Sequence, residues 1–129
     1  MRIFKNIWFE RFARKQDISD QELLQAIERA ERGLIDADLG GGVIKQRVAR
    51  LGQGKSGGFR TVVLYRMAER AFFVYGFAKS DLDNLDKDEE VQFRKAARYV
   101  LGLSDAQLAD LIGQGQFLEI RDHDEELPR

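Results

Sequence analysis

The sequence predicts an α+β fold: a small, twisted antiparallel β-sheet with N-terminal helices packed on it and further helices at the C-terminal end. Three observations carry this. Apolar residues recur at helical spacing in the first and last thirds of the chain. The middle third switches to two β-branched and aromatic runs joined by a short polar turn. Three Ser/Asp-x-x-Glu/Gln boxes then mark helix starts. With 129 residues there is room for one domain, expected over residues 1–121, followed by a charged tail at 122–129.

Taken in order, Arg2 to Lys5 reads as a short edge strand. Phe4, Trp8 and Phe12 follow at i, i+4 and i+8, which puts Trp8 and Phe12 on the core face of a first helix. Ser19 and Glu22 form a reciprocal capping box for a second helix, whose stripe is Leu23, Ile27, Ala30 and Leu34 and whose end suits Gly33. Val43 to Val48 alternates loosely, and a glycine-rich loop spans 49–58. Phe59–Tyr65 and Ala71–Phe77 form an antiparallel hairpin around residues 67–70. Strand alternation places Arg60, Val62, Leu64 and Arg66 on one face and Phe59, Thr61, Val63 and Tyr65 on the other. It likewise groups Phe73, Tyr75, Phe77 and Lys79. Asp86/Glu89 and Ser104/Gln107 begin two more helices, the first striped by Phe93, Ala97, Val100 and Leu101, the second ending near Gly113. Phe117–Ile120 adds a last strand.

The composition excludes several chemistries. There is no cysteine, so no disulfide scaffold and no thiolate-ligated metal. The one histidine, His123, lies in the acidic tail, which removes histidine metal clusters and a Ser–His triad. No run approaches about 18 apolar residues and the N-terminus lacks an apolar signal core, so a cytoplasmic protein without membrane contact, metal or cofactor is expected. Any catalysis must run on Lys, Arg, Asp, Glu and Tyr. The net charge of −1 is sharply divided: residues 41–79 hold eight basic side chains against Glu69, while 80–129 hold thirteen acids against six bases. A local block of +7 is the surface a polyanion meets.

Residues 49–58, Ala-Arg-Leu-Gly-Gln-Gly-Lys-Ser-Gly-Gly, imitate two nucleotide motifs and satisfy neither. A P-loop ending at Gly54-Lys55-Ser56 needs glycine where Ala49 stands. Both it and the G-x-G-x-x-G of Gly52, Gly54 and Gly57 need a following helix, and Phe-Arg-Thr-Val-Val-Leu is a strand. What remains is a solvated hairpin loop that needs glycine for its turns, the reading the loop alone favours, or a glycine-built anion nest with Lys55 as a mobile charge.

Read together, Lys55-Ser-Gly-Gly-Phe-Arg60-Thr-Val-Val and Arg70-Ala-Phe-Phe-Val-Tyr-Gly-Phe-Ala-Lys79 resemble the RelE/HigB-like toxins of bacterial type II toxin–antitoxin systems, within the RelE/ParE superfamily. Asp38-Leu-Gly-Gly-Gly-Val-Ile-Lys-Gln-Arg-Val and Asn84-Leu-Asp-Lys-Asp-Glu-Glu fit the same branch, and the likeness covers roughly residues 3–120. The resemblance implies a microbial-ribonuclease-type fold and cleavage of mRNA on the ribosome. It also implies restraint by a cognate antitoxin, a helix-turn-helix or RelB-like protein. It implies Lys55, Arg60 and Lys79 as the catalytic set, with Tyr75 or Phe77 as a base-stacking partner; the basic block adds Arg47, Arg66 and Arg70 as expected contacts to RNA phosphates. Two positions depart from the family pattern: Leu82 stands where relatives carry a basic residue, and no C-terminal tyrosine matches, Tyr99 falling mid-helix. The departures leave two other readings open, a ParE-like gyrase inhibitor on the same fold and a non-catalytic nucleic-acid-binding module.

Overall fold

A computed structural model describes residues 1–50, 54–78 and 85–121, with the side chains of Arg50 and residues 54–57 excepted. The elements run β1 (Arg2–Asn6), α1 (Ile7–Gln16), α2 (Asp20–Glu31), β2 (Ala37–Gly40), β3 (Val43–Arg50), β4 (Gly54–Arg66), β5 (Arg70–Ala78), α3 (Lys87–Leu101), α4 (Asp105–Gly113) and β6 (Phe117–Ile120). Each helix begins where a local hydrogen bond starts it. Asn6 accepts from the Phe9 amide, and Ser19/Glu22, Asp86/Glu89 and Ser104/Gln107 all close as reciprocal boxes. Gly33, at φ 85°, ends the second helix as its sequence position suggests.

The six strands form one sheet in the order β2-β3-β4-β5-β1-β6, mostly antiparallel. Three features differ from the sequence-based expectation. β1 is no edge strand: it lies between β5 and β6 and runs parallel to β5, with Arg2 opposite Arg70 and Lys5 opposite Phe73. β4 also begins at Gly54, so half of the stretch expected to be loop is already paired backbone. The short strand β2 was not expected at all, and its residues carry little β-propensity. It is held by pairing with β3, and Asp38 accepts from the Gly40 amide at 2.8 Å.

Helices cover both faces of the sheet. On the first face α1 and α2 bury Phe9, Leu23 and Ile27 against Ile44, Phe59, Val63 and Phe73. On the second, α3 and α4 bury Ala97, Leu101 and Leu108 against Phe4, Val43, Val62, Leu64 and Phe72. Gln46, fully buried on the first face, ties α2 to the sheet: its amide nitrogen donates to the carbonyls of Ala26 and Leu34, and its oxygen accepts from the Asp36 amide. The fit of α1 onto β5 is closest at Gly76, where a Cβ would stand 2.5 Å from the Phe12 ring. Phe12 therefore packs inward as its spacing predicts. Trp8 does not: it is 44% exposed, stacked flat on Phe12 and on Tyr75 at the flank of the helix.

Among the described residues no helix is long and apolar enough to cross a membrane.

Candidate functional site

The strand faces decide which side chains can meet. β4 alternates as its sequence predicts: Phe59, Val63 and Tyr65 join the first core, Val62 and Leu64 the second. Arg60 therefore shares the second face. β5 does not alternate simply. Arg60 pairs with Phe77 and Val62 with Tyr75, but Val63 pairs with Phe73, so Val74 is an extra residue, a β-bulge. The bulge splits the group expected to share one face. Phe73 faces α1 and α2, while Tyr75 turns to the second face and Phe77 stands directly beside Arg60. A one-residue insertion reverses every later side chain on a strand, and here it assembles the aromatic wall of the site.

On β3, Arg47 is the register partner of Arg60 and Lys45 that of Val62, so Lys45, Arg47 and Arg60 form a cationic stripe on that face. Arg60 is half-buried, and among the described residues its buried Nε has no hydrogen-bond acceptor. An arginine nitrogen so placed has lost water and gained no partner, an arrangement that costs stability unless an anion arrives. Arg47 is more exposed; its Nε lies 3.9 Å from Asp36, too far for a tight pair, while its backbone amide donates to the same carboxylate at 2.6 Å. Arg47 also borders a cleft of about 410 Å³ between α2 and the β3 edge, with Arg29 and Leu34 among its walls. Among the described residues neither Lys45 nor Arg60 has an ion pair, and that leaves the stripe electropositive.

Tyr75 and Phe77 do not present open rings. Tyr75 lies between Trp8, 4.6 Å away by ring centroids, and Phe93 at 5.9 Å; Phe77 is buried and 6.1 Å from Tyr75. They form a rigid wall beside the stripe. Arg66 and Arg70 sit at the opposite end of the β4–β5 hairpin. Arg66 is exposed and 3.7 Å from Glu69. Arg70 holds the α3–α4 junction, donating to the Leu103 carbonyl at 2.7 Å and to Asp105 at 2.8 Å. Lys55 lies in β4 but its side chain, like all of Lys79 and Leu82, falls outside the described residues. Lys45 was counted in the basic block but given no role from sequence. The signal was its parity with Arg47, which becomes meaningful only once the register with Val62 is known.

Among the described residues no three His, Cys, Asp or Glu side chains converge as a metal site. Other titratable groups with altered behaviour are structural. The Lys5 ammonium is buried, which alone would lower its pKa, but its bonds to Glu10 (2.6 Å) and Asp20 (2.9 Å) outweigh burial and hold it raised. Glu10 is correspondingly held low by Lys5 and Arg14. Burial and a hydrogen bond to Glu31 push the Tyr65 phenol well up, and Glu31 also accepts from the Ala68 amide in the hairpin turn.

No curated protein matches the sequence. The family described as RelE toxin of RelE / RelB toxin-antitoxin system matches residues 1–120, from β1 through β6. Its span takes in both cores, the bulged hairpin and the cationic stripe. The chain therefore belongs to the RelE toxin family, as the toxin of a toxin–antitoxin system whose partner is an antitoxin.

Proposed function

We propose that this toxin is a ribosome-dependent mRNA endoribonuclease that cleaves by attack of the 2′-hydroxyl, without metal. One observation carries the reading: the half-buried Arg60, its Nε unpartnered among the described residues, stands beside Arg47 and Phe77 in the cationic stripe of the second sheet face. A guanidinium with one buried, unanswered N–H and its outer nitrogens open is a ready receptor for a phosphate, and its planar fork can hold two of the oxygens at once. RNA supplies the rest of the chemistry. Its own 2′-oxygen attacks the adjacent phosphorus, the bond to the 5′-oxygen breaks, and the 2′ proton is removed while another is delivered to the leaving oxygen. The products are a 2′,3′-cyclic phosphate and a 5′-hydroxyl end.

Arg60 neutralises the charge that builds on the phosphorane, the moment at which electrostatic stabilisation lowers the barrier. Lys55 and Lys79 are the candidates for proton transfer, one as acid and the other as base where neighbouring positive charge depresses its pKa. Tyr75 and Phe77 wall the site and restrict where a base can lie. Arg47 holds a flanking phosphate. Arg66 and Arg70 meet RNA farther off, at the other end of the hairpin, Arg66 the more freely because Arg70 is engaged with Leu103 and Asp105. The ribosome contributes orientation, which reduces the demand on the protein's own acid and base.

The test is induced expression with mapping of mRNA 5′ ends on translating ribosomes, comparing wild type with Arg60→Ala of verified fold. A loss of cleavage by about 10²–10³-fold is expected from removal of one charge-stabilising donor. Unchanged cleavage by the folded variant removes Arg60 from the site. A DNA-damage response without new 5′ ends assigns the toxin to gyrase inhibition instead.

A further inference from the structure

We propose that the exposed flank of α1 is an extension of the RNA site, with Trp8 as the platform on which an unpaired nucleobase stacks and Arg11 and Lys15 as contacts to the backbone phosphates. The inference rests on the RNA-cleaving reading above and deepens it. Trp8 is a large aromatic residue left 44% exposed on a chain whose other large aromatic side chains, Tyr99 apart, pack inward. The indole stacks on Phe12 and on Tyr75, at interplanar angles of 14° and 30°, and those two contacts hold it nearly fixed while the rest of the side chain meets solvent. A rigid, half-open aromatic ring is the form of side chain that stacks a base at little entropic cost.

Its position ties it to Arg60. Trp8 stacks on Tyr75, Tyr75 contacts Phe77, and Phe77 is the register partner of Arg60. The bulge at Val74 that turns Tyr75 to the second face is therefore also what sets Trp8 against a side chain of the face that carries the cationic stripe. A cleft of about 380 Å³, with Trp8, Val74 and Phe93 among its walls, opens beside the indole and can admit a base. Along the helix, Trp8, Arg11 and Lys15 fall at i, i+3 and i+7, one continuous exposed line. The neighbouring acid of α1, Glu10, is taken by Lys5 and Arg14 and leaves that line positive. Aromatic platforms interleaved with cations are how single-stranded nucleic acid is held without base-edge readout.

The experiment uses a short 2′-O-methyl RNA, which lacks the attacking hydroxyl and is not cleaved. Trp8 is the one tryptophan of the chain, so its emission reports directly on the site. Titration should quench it saturably. By anisotropy of labelled RNA, Trp8→Ala should weaken binding by roughly 5- to 150-fold, whereas Trp8→Phe should restore most of it. Arg11→Gln with Lys15→Gln, surface changes that leave the packing intact, should lower the slope of log affinity against log salt by about 1.4. Unaltered emission on saturation, or wild-type affinity and salt slope in these variants, overturns the inference. So does a Trp8→Phe or Arg11/Lys15 variant that binds RNA normally but loses antitoxin affinity, which would make this flank the antitoxin's. Because the RNA cannot be cut, the outcome is independent of cleavage: quenching without ribosomal mRNA cleavage sinks the nuclease reading alone, and cleavage without quenching sinks only the role of Trp8.

Discussion

If Arg60 is kept for an anion rather than for the fold, replacing it should stabilise the protein while destroying its activity. Arg60→Met is the informative change, since methionine keeps the length of the stem that packs on the sheet and removes the charged head. The Nε is buried without an acceptor, and an unsatisfied buried donor costs about 1–3 kcal/mol. The residue as a whole is only half-buried, so the outer nitrogens keep water and the lower part of that range applies, about 1–2 kcal/mol. At roughly 2.1 cal/mol/K per residue, 129 residues convert 1 kcal/mol into about 4 °C, so Tm should rise by about 4–8 °C. Urea unfolding at unchanged m-value checks that the gain is in the native state. Adding inorganic phosphate should raise the wild-type Tm and leave the variant's unmoved, because only a native-state site that binds the anion gains from it. A fall in Tm for Arg60→Met would mean the guanidinium holds the sheet together. The assignment of Arg60 to phosphate would then fail.

Three further outcomes follow from the packing and the titrating groups. Gly76→Ala should cost about 1–3 kcal/mol, since its Cβ would stand 2.5 Å from Phe12, and Phe12→Leu in the same chain should recover part of it in a double-mutant cycle read by urea unfolding. Glu10 is held below the usual carboxylate range by Lys5 and Arg14, so it contributes stability above its ordinary pKa that is lost as pH falls through the lowered one; Glu10→Gln should reduce stability at pH 7 and flatten the acid limb of the unfolding curve. Tyr65 has the opposite sign. Its raised phenol pKa contributes stability below about pH 10 that disappears as pH rises, so ultraviolet titration should find this phenol protonated until the chain unfolds, and Tyr65→Phe should shallow the alkaline loss.

Helix starts were legible from the sequence because each is a local event. Ser19 and Glu22, Asp86 and Glu89, and Ser104 and Gln107 need only an i to i+3 hydrogen bond, and all three boxes form. The two faces of β4 were legible for the same kind of reason, since alternation is intrinsic to an extended chain. So was the concentration of positive charge in residues 41–79, part of which becomes the stripe of Lys45, Arg47 and Arg60.

Tertiary structure alone decided the rest. The parallel insertion of β1 between β5 and β6 joins residues some 68 and 117 positions apart, and nothing in a five-residue strand specifies those partners. The bulge at Val74 depends on how β5 settles against β4, and it reverses Tyr75 and Phe77 relative to Phe73. Trp8 has the spacing of a core residue, but Phe12 and Phe9 fill the space above β5, and the indole is left on the flank. Whether an arginine has a counter-ion is likewise a property of neighbours brought from elsewhere in the chain. Arg70 finds Leu103 and Asp105; Arg60, in the same hairpin, leaves its Nε unanswered. Periodicity and capping are written over three or four residues, whereas desolvation and pairing are settled only when distant strands close.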